Sequence, residues 1–201
     1  MEVPYEIKTY QRTQEMRAPP DLLKVNPLGK SPVITDGDLN LAESGAIVEY
    51  IINKYGNNKA TVPETGRVDE LYYKHYAEGS LMPLLTQYLM FTVIPTRAPF
   101  FLRPILKFVF NKVIETMLIP QIKTNFDMIE SHIAKQPNMW FAGGSEPTAA
   151  DFQMMFCLEA VVTEAPQFVG PKTKAYVDMV HKREAYQRAY KKGGEYRYAK
   201  L

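Results

Sequence analysis

The chain has 201 residues, 46% of them hydrophobic and 23% charged, which is the composition of a folded globular protein and excludes the disordered and collagen-like extremes. That length fits one large domain or two small ones, and a formal net charge of +2 gives no field that would select nucleic acid. The single cysteine, Cys157, excludes an internal disulfide, and no Cys or His cluster has metal-ligand spacing, so no metal is expected and a cytoplasmic setting fits best.

The opening Met-Glu-Val-Pro-Tyr-Glu-Ile-Lys holds neither a basic nor an apolar leader region, and no apolar run is long enough for a membrane span, so a soluble protein is expected. Residues 3–10 alternate loosely between apolar and polar side chains and predict a strand. Pro19 and Pro20 open one or two helical turns over 21–25, which Asn26-Pro27-Leu28-Gly29 ends. Asp36-Gly37 between the apolar runs 31–34 and 39–41 predicts an antiparallel hairpin. From Glu43, the spacing of Ile47, Tyr50, Ile51, Lys54 and Tyr55 predicts a helix that Gly56 stops. The polar stretch 57–66, with Pro63 and Gly66, reads as a linker, and beyond it helices are predicted over 68–88, 104–119, 121–135, 149–160, 171–182 and 184–191.

Two local patterns carry chemistry. A proline entering a strand after a loop, as in Ser31-Pro32-Val33, can be held cis, turning the preceding backbone N–H and C=O outward to pair with an extended peptide. The N-terminus of the helix near Ser44 leaves backbone donors unpaired and favours a carboxylate, to which the Ser44 hydroxyl could add a bond while Glu43 accepts one from an ammonium group. A carboxylate and an ammonium together describe an amino-acid end, whereas taken alone Pro32 reads as a strand start and Ser44 as a cap. Farther on, Thr148 and Asp151 form a capping box at a helix start, a structural device.

The order Asn26-Pro27-Leu28-Gly29-Lys30-Ser31-Pro32 followed by Glu43-Ser44 resembles the glutathione transferase family, and Tyr5-Glu6-Ile7, Arg17-Ala18-Pro19-Pro20, Ala42-Glu43-Ser44-Gly45 and Glu78-Gly79-Ser80-Leu81 resemble more narrowly its fungal GTT-type branch. The Thr148–Asp151 box, preceded by Gly143 and Gly144, matches the family's buried core helix. The resemblance implies a thioredoxin-like α/β domain over 1–57 and an all-helical C-terminal domain with a hydrophobic substrate pocket over 67–201. It implies that the backbone of Ser31, beside Pro32, pairs with the cysteinyl part of glutathione, that Glu43 and Ser44 hold the γ-glutamyl end, and that Lys30, with Arg17, lies towards the glycine carboxylate. It also implies a homodimer that conjugates glutathione to hydrophobic electrophiles, in detoxification or secondary metabolism.

The family places its thiol-activating residue just after a first strand, whereas Val3-Pro4-Tyr5-Glu6 resembles the entry to the second. A partial thioredoxin-like domain lacking its first strand and helix is therefore expected, with a defective or rearranged sheet and no assignable catalytic residue. A start placed too far downstream, a genuine short isoform, and a non-catalytic glutathione- or ligand-binding descendant remain open, as does thiol-transfer or peroxide chemistry on the same fold.

Tyr72, Tyr73 and Tyr76 recur on one helix, either packing or lining a pocket or dimer contact, with Tyr73 and Tyr76 the pocket candidates. Cys157 reads as a packed thiol. Residues 97–119 are basic and apolar, and read as a core helix lining the substrate pocket in preference to peripheral contact with an internal membrane.

Overall fold

A computed structural model describes residues 3–15, 17–194 and 196–199. The N-terminal part contains α1 (Pro20–Val25), β1 (Val33–Asp36), β2 (Leu39–Ala42) and α2 (Ser44–Tyr55). The hairpin is the one the Asp-Gly turn predicts, with Gly37 at φ 60° and the register Val33↔Ala42 through Asp36↔Leu39. Asp36 ties it to α2, accepting from Tyr50 Oη at 2.8 Å, Lys54 Nζ at 2.8 Å and Tyr55 Oη at 2.5 Å.

Residues 3–10 form no strand, which corrects the expectation from their alternation. A strand is stable only against a neighbour, and among the described residues β1 pairs with β2 alone, leaving its other edge without a ladder. A cleft of about 1210 Å³ lies between the segment and that edge, lined by Tyr5, Lys8 and Tyr10 on one side and Val33, Thr35 and Asp36 on the other. The segment is held from elsewhere: the Lys192 ammonium sits 3.5 Å from the Tyr5 ring centroid and donates to the Tyr5 carbonyl. The sheet is thus the incomplete one the sequence predicts.

The rest is helical: α3 (Arg67–Tyr76), α4 (Met82–Arg97), α5 (Arg103–Val113), α6 (Ile119–Lys135), α7 (Ala149–Glu164), α8 (Pro171–Lys182) and α9 (Glu184–Gly193). The helix expected over 68–88 has a wide turn within it and runs on to Arg97, and the break expected between 119 and 121 is bridged. Helix α3 runs into α4 through a π-helical turn, Ala77–Leu81, and α5 into α6 through another, Ile114–Leu118. Each is followed at once by a proline near the start of the next α-helix, Pro83 and Pro120. A proline in a helix interior clashes with the carbonyl four residues back; the wider turn, closed by Met82 N–H to Ala77 O and Ile119 N–H to Ile114 O, gives that ring room. The helices therefore continue through prolines that would otherwise end them.

The core lies among α3, α4, α6, α7 and α8, where Ala77, Leu81, Ile122, Phe126, Ile129, Met154, Leu158 and Val177 are buried. Helix α7 is buried almost all round and its N-terminus is fixed twice. The predicted capping box is present, Thr148 N–H donating to Asp151 Oδ2 at 2.8 Å. Glu70, on α3, adds a carboxylate that accepts from the Thr148 hydroxyl and from Ala150 N–H at 3.1 Å. Asp151 also accepts from Phe141 N–H and Tyr176 Oη, both at 3.0 Å, so one carboxylate joins α7, α8 and the loop before α7. The linker is less open than its polarity suggests: Gly66 is buried, and a Cβ there would lie 2.0 Å from the Ala142 carbonyl oxygen.

Candidate functional site

The turn that precedes β1 is built by Asn26. Its buried amide accepts from Leu28 N–H at 3.1 Å and donates to the Lys30 carbonyl at 2.8 Å, while its own carbonyl accepts from Gly29 N–H at 2.8 Å. Gly29 sits at φ 61°, and a Cβ there would fall 2.5 Å from Ala18 Cβ, so glycine is required on two counts. This loop delivers Ser31, and the Ser31–Pro32 peptide bond is cis.

The hairpin register does the rest. Val33 faces Ala42, so Pro32 and Glu43 are the residues that flank the last pair at the ladder's open end. Glu43 is held at φ 72°, ψ 118°, a region that non-glycine residues rarely occupy and that costs about 1–3 kcal/mol. The carbonyl of Glu43 accepts from Ile47 N–H at 2.9 Å and so starts α2, while its side chain is exposed and, among the described residues, unpaired.

The first turn of α2 contains no acid and has no side-chain cap among the described residues, which leaves its N–H groups available to a ligand. Ser44 Oγ lies 3.2 Å from both Glu78 Oε1 and Gln153 Oε1, and joins this end of α2 to the π-turn and to α7. Lys30 is exposed beside Ser31. Five of the predicted residues, Lys30, Ser31, Pro32, Glu43 and Ser44, therefore meet at one end of the hairpin. Arg17 lies outside the ladder, exposed and 3.6 Å from the Glu15 carboxylate.

Tyr73 and Tyr76 are placed differently from the expectation of a substrate pocket. Both are buried in the core: the Tyr73 ring packs 4.3 Å from His132 and 4.6 Å from Phe141, and the Tyr76 hydroxyl donates to Asn125. Burial pushes both phenols well above the ordinary tyrosine range. Neither lines the N-terminal cleft nor the apolar cavity of about 280 Å³ that Trp140, Phe152, Met155 and Tyr186 help to form between α7 and α9. Cys157 is a packed thiol, donating to Ala77 O at 3.6 Å and pushed up to about 12 by burial. Of the partners of Ser44, Glu78 falls in the Glu78-Gly79-Ser80-Leu81 motif, to which the sequence assigned no role, and Gln153 carried no sequence signal; both lie far from Ser44 along the chain.

The Asp36 tie that supports this end is acid-resistant. The Lys54 ammonium and the Tyr55 and Tyr50 hydroxyls hold its carboxyl at about 2, below the ordinary aspartate range. A depressed carboxyl contributes stability that is complete above the unfolded value and is lost as pH falls through the folded one. The Tyr50 and Tyr55 ring resonances are accordingly expected to hold steady from neutral pH to about 4 and to shift with a midpoint near 2; a midpoint near 4 would mean that the three bonds do not form in solution.

Comparison with known proteins points the same way. Residues 1–53 match the glutathione S-transferase N-terminal domain. Glutathione S-transferase 3 of Schizosaccharomyces pombe is 37% identical over 158 residues, spanning 78% of this chain and 64% of that protein. Glutathione S-transferase 1 of Saccharomyces cerevisiae is 32% identical over 164 residues, spanning 77% and 69%. The chain thus spans about two thirds of the length of these relatives. Among solved structures, a glutathione S-transferase of Actinobacillus pleuropneumoniae superposes with a TM-score of 0.69 over 99% of this chain and 86% of that one, at 22% identity. A glutathione transferase of Phanerochaete chrysosporium, solved in complex with oxidized glutathione, gives 0.59 over 86% and 77%, at 23% identity. At such identities the solved structures speak for the fold alone, an α/β N-terminal part followed by a helical one. With the two yeast sequences matched across most of its length, the chain belongs to the glutathione S-transferase family.

Proposed function

We propose that the open end of the hairpin binds glutathione, and that the protein adds the glutathione thiolate to hydrophobic electrophiles. The observation that supports this reading is the register Val33↔Ala42, which leaves Ser31-Pro32 and Glu43-Ser44 flanking the same end of the hairpin. The Ser31 backbone pairs with the cysteinyl peptide unit. Ser44 and the uncapped first turn of α2 receive the γ-glutamyl carboxylate, and the unpaired Glu43 carboxylate takes the ammonium. Lys30 is the cation at hand for the glycine carboxylate, and Arg17 would serve only by leaving Glu15. In this reading residues 1–57 are the glutathione half and 67–201 the helical half that shapes the electrophile site. The protein acts in the cytoplasm as a homodimer, a state supported by the stripe Val68, Leu71 and Tyr72, exposed at helical spacing on α3.

Titration calorimetry of the purified chain with reduced glutathione, with conjugation of a chlorodinitrobenzene followed in parallel, tests the reading. Saturable binding with turnover is expected of a transferase; saturable binding without turnover assigns the chain to the ligand-binding descendants. No heat of binding up to about 10 mM glutathione, which corresponds to less than roughly 3 kcal/mol of affinity, overturns the hairpin site itself.

A further inference from the structure

The segment 97–119 was expected to be a core helix, yet α5 buries none of its residues. Its inward side is supplied by Leu106, Phe110 and Val113, half-buried, with the Phe110 ring 5.3 Å from Phe91 of α4. Everything else faces out. Phe100 is 80% exposed, Phe101 63%, Ile105 63% and Phe108 76%, a contiguous apolar surface at the tip where α4 gives way to α5. By helical spacing Ile105 and Phe108 share the outer face of α5 with Lys112, Phe101 lies in the turn just before the helix, and Arg103 and Lys107, four apart, lie together on another side.

Charge is segregated as sharply. From Gly79 to Ile114 the chain holds no Asp or Glu, and the four charged residues there, Arg97, Arg103, Lys107 and Lys112, are all basic and exposed. Since the whole chain carries only +2, the remainder is net acidic and the positive charge is concentrated at this tip. One of these cations also shapes it: Arg103 Nε donates to the Ala98 carbonyl at 2.9 Å and folds the connecting loop back on α5.

We propose that this tip seats on the surface of an anionic lipid bilayer, with Phe100, Phe101, Ile105 and Phe108 entering the headgroup–acyl boundary and the four cations meeting lipid phosphates and carboxylates around them. Exposed apolar side chains with basic ones among and around them on a short helix suit an interfacial helix, whose long cationic stems lie along the apolar surface while their ends stay in water. No helix among the described residues is long and apolar enough to cross a membrane, so the contact is one of surface seating. Charge complementarity selects this occupant over a second copy of the chain. A two-fold contact through the tip would set four cations against the same four with no carboxylate between Gly79 and Ile114 to pair them, whereas anionic headgroups neutralise all of them.

Cosedimentation of the whole chain with vesicles tests this, using phosphatidylcholine alone and phosphatidylcholine mixed in equal parts with phosphatidylserine. Binding to the mixed vesicles is expected to be at least about tenfold stronger and to weaken with added salt. Lys107→Glu with Lys112→Glu should reduce it at least about 25-fold, since each cation near an anionic surface is worth about fivefold. Phe101→Ser with Phe108→Ser should abolish it while leaving the circular dichroism and melting curve unchanged, because both rings stand in solvent. Equal binding to the two vesicle types, or none to either, overturns the proposal. So does a dimer, measured by sedimentation without lipid, that the Phe101→Ser/Phe108→Ser variant splits, for the face would then be a contact between copies.

Discussion

Asp151→Ala is expected to destabilise the protein by about 3–5 kcal/mol, a large part of the 5–15 kcal/mol that holds most domains folded. Asp151 is only 2% exposed, and its carboxylate takes Thr148 N–H at 2.8 Å, Phe141 N–H at 3.0 Å and the Tyr176 hydroxyl at 3.0 Å. Truncation leaves three buried donors unpaired, at about 1–3 kcal/mol each before any entering water offsets part of the loss. The damage spreads because the three donors belong to the helix start, to the preceding loop and to α8. Burial pushes the Asp151 carboxyl up and its donors pull it back down, so the same three bonds also decide its charge. Urea unfolding followed by circular dichroism measures the effect. Asp151→Asn, which keeps the shape but turns an amide donor towards other donors, should fall between the two, near ~2 kcal/mol. A loss under about 1 kcal/mol for the alanine variant would mean that water replaces the carboxylate at no cost.

The second prediction has two signs. Glu43→Gly should stabilise the fold by about 1 kcal/mol, because the position is held at φ 72°, where glycine is at ease and glutamate is strained; the gain is the strain relieved less the entropy that glycine loses. The same change should weaken glutathione binding by about tenfold to a hundredfold, the worth of one charge-assisted hydrogen bond to an ammonium group. Melting and calorimetric titration on one preparation read both. If the variant binds as tightly as the parent, Glu43 does not hold the ligand's ammonium. If it melts lower, the backbone strain at this position is not relieved by glycine. Opposite movement of the two quantities is the mark of a residue kept in an unfavourable conformation for the sake of its side chain.

The hairpin that carries the candidate site was legible because its signals are local. Asp36-Gly37 fixes the turn, the turn fixes the register, and the register puts Ser31-Pro32 and Glu43-Ser44 at the same end of the hairpin, although they are not contiguous in the chain. Asn26-Pro27-Leu28-Gly29 was readable in the same way, since a glycine in that turn answers to a positive φ. What escaped the sequence is what depends on partners far along the chain. Glu70 reaches Thr148 from α3, and Ser44 reaches Gln153 on α7. Residues 3–10 have the alternation of a strand, but a strand is a property of two segments and here the second is not beside them. Tyr73 and Tyr76 have the chemistry of a pocket lining; the face of α3 that carries them is the one turned to α6 and α7. Helix α5 has an apolar stripe broad enough for a core, and its outer half finds nothing to cover it.

The wide turns ahead of Pro83 and Pro120 set a rule about chain length. Each spends one residue more than an α-helix needs to make the same advance. Delete one residue between Ala77 and Leu81, and the ladder could close as ordinary α-helix with α4 near its present azimuth, because the residue removed is the surplus one. Leu84 would keep its place in the core, but Pro83 would meet a tight turn. The surplus residue is therefore what seats each proline, and its loss is felt at the proline and not along the helix that follows.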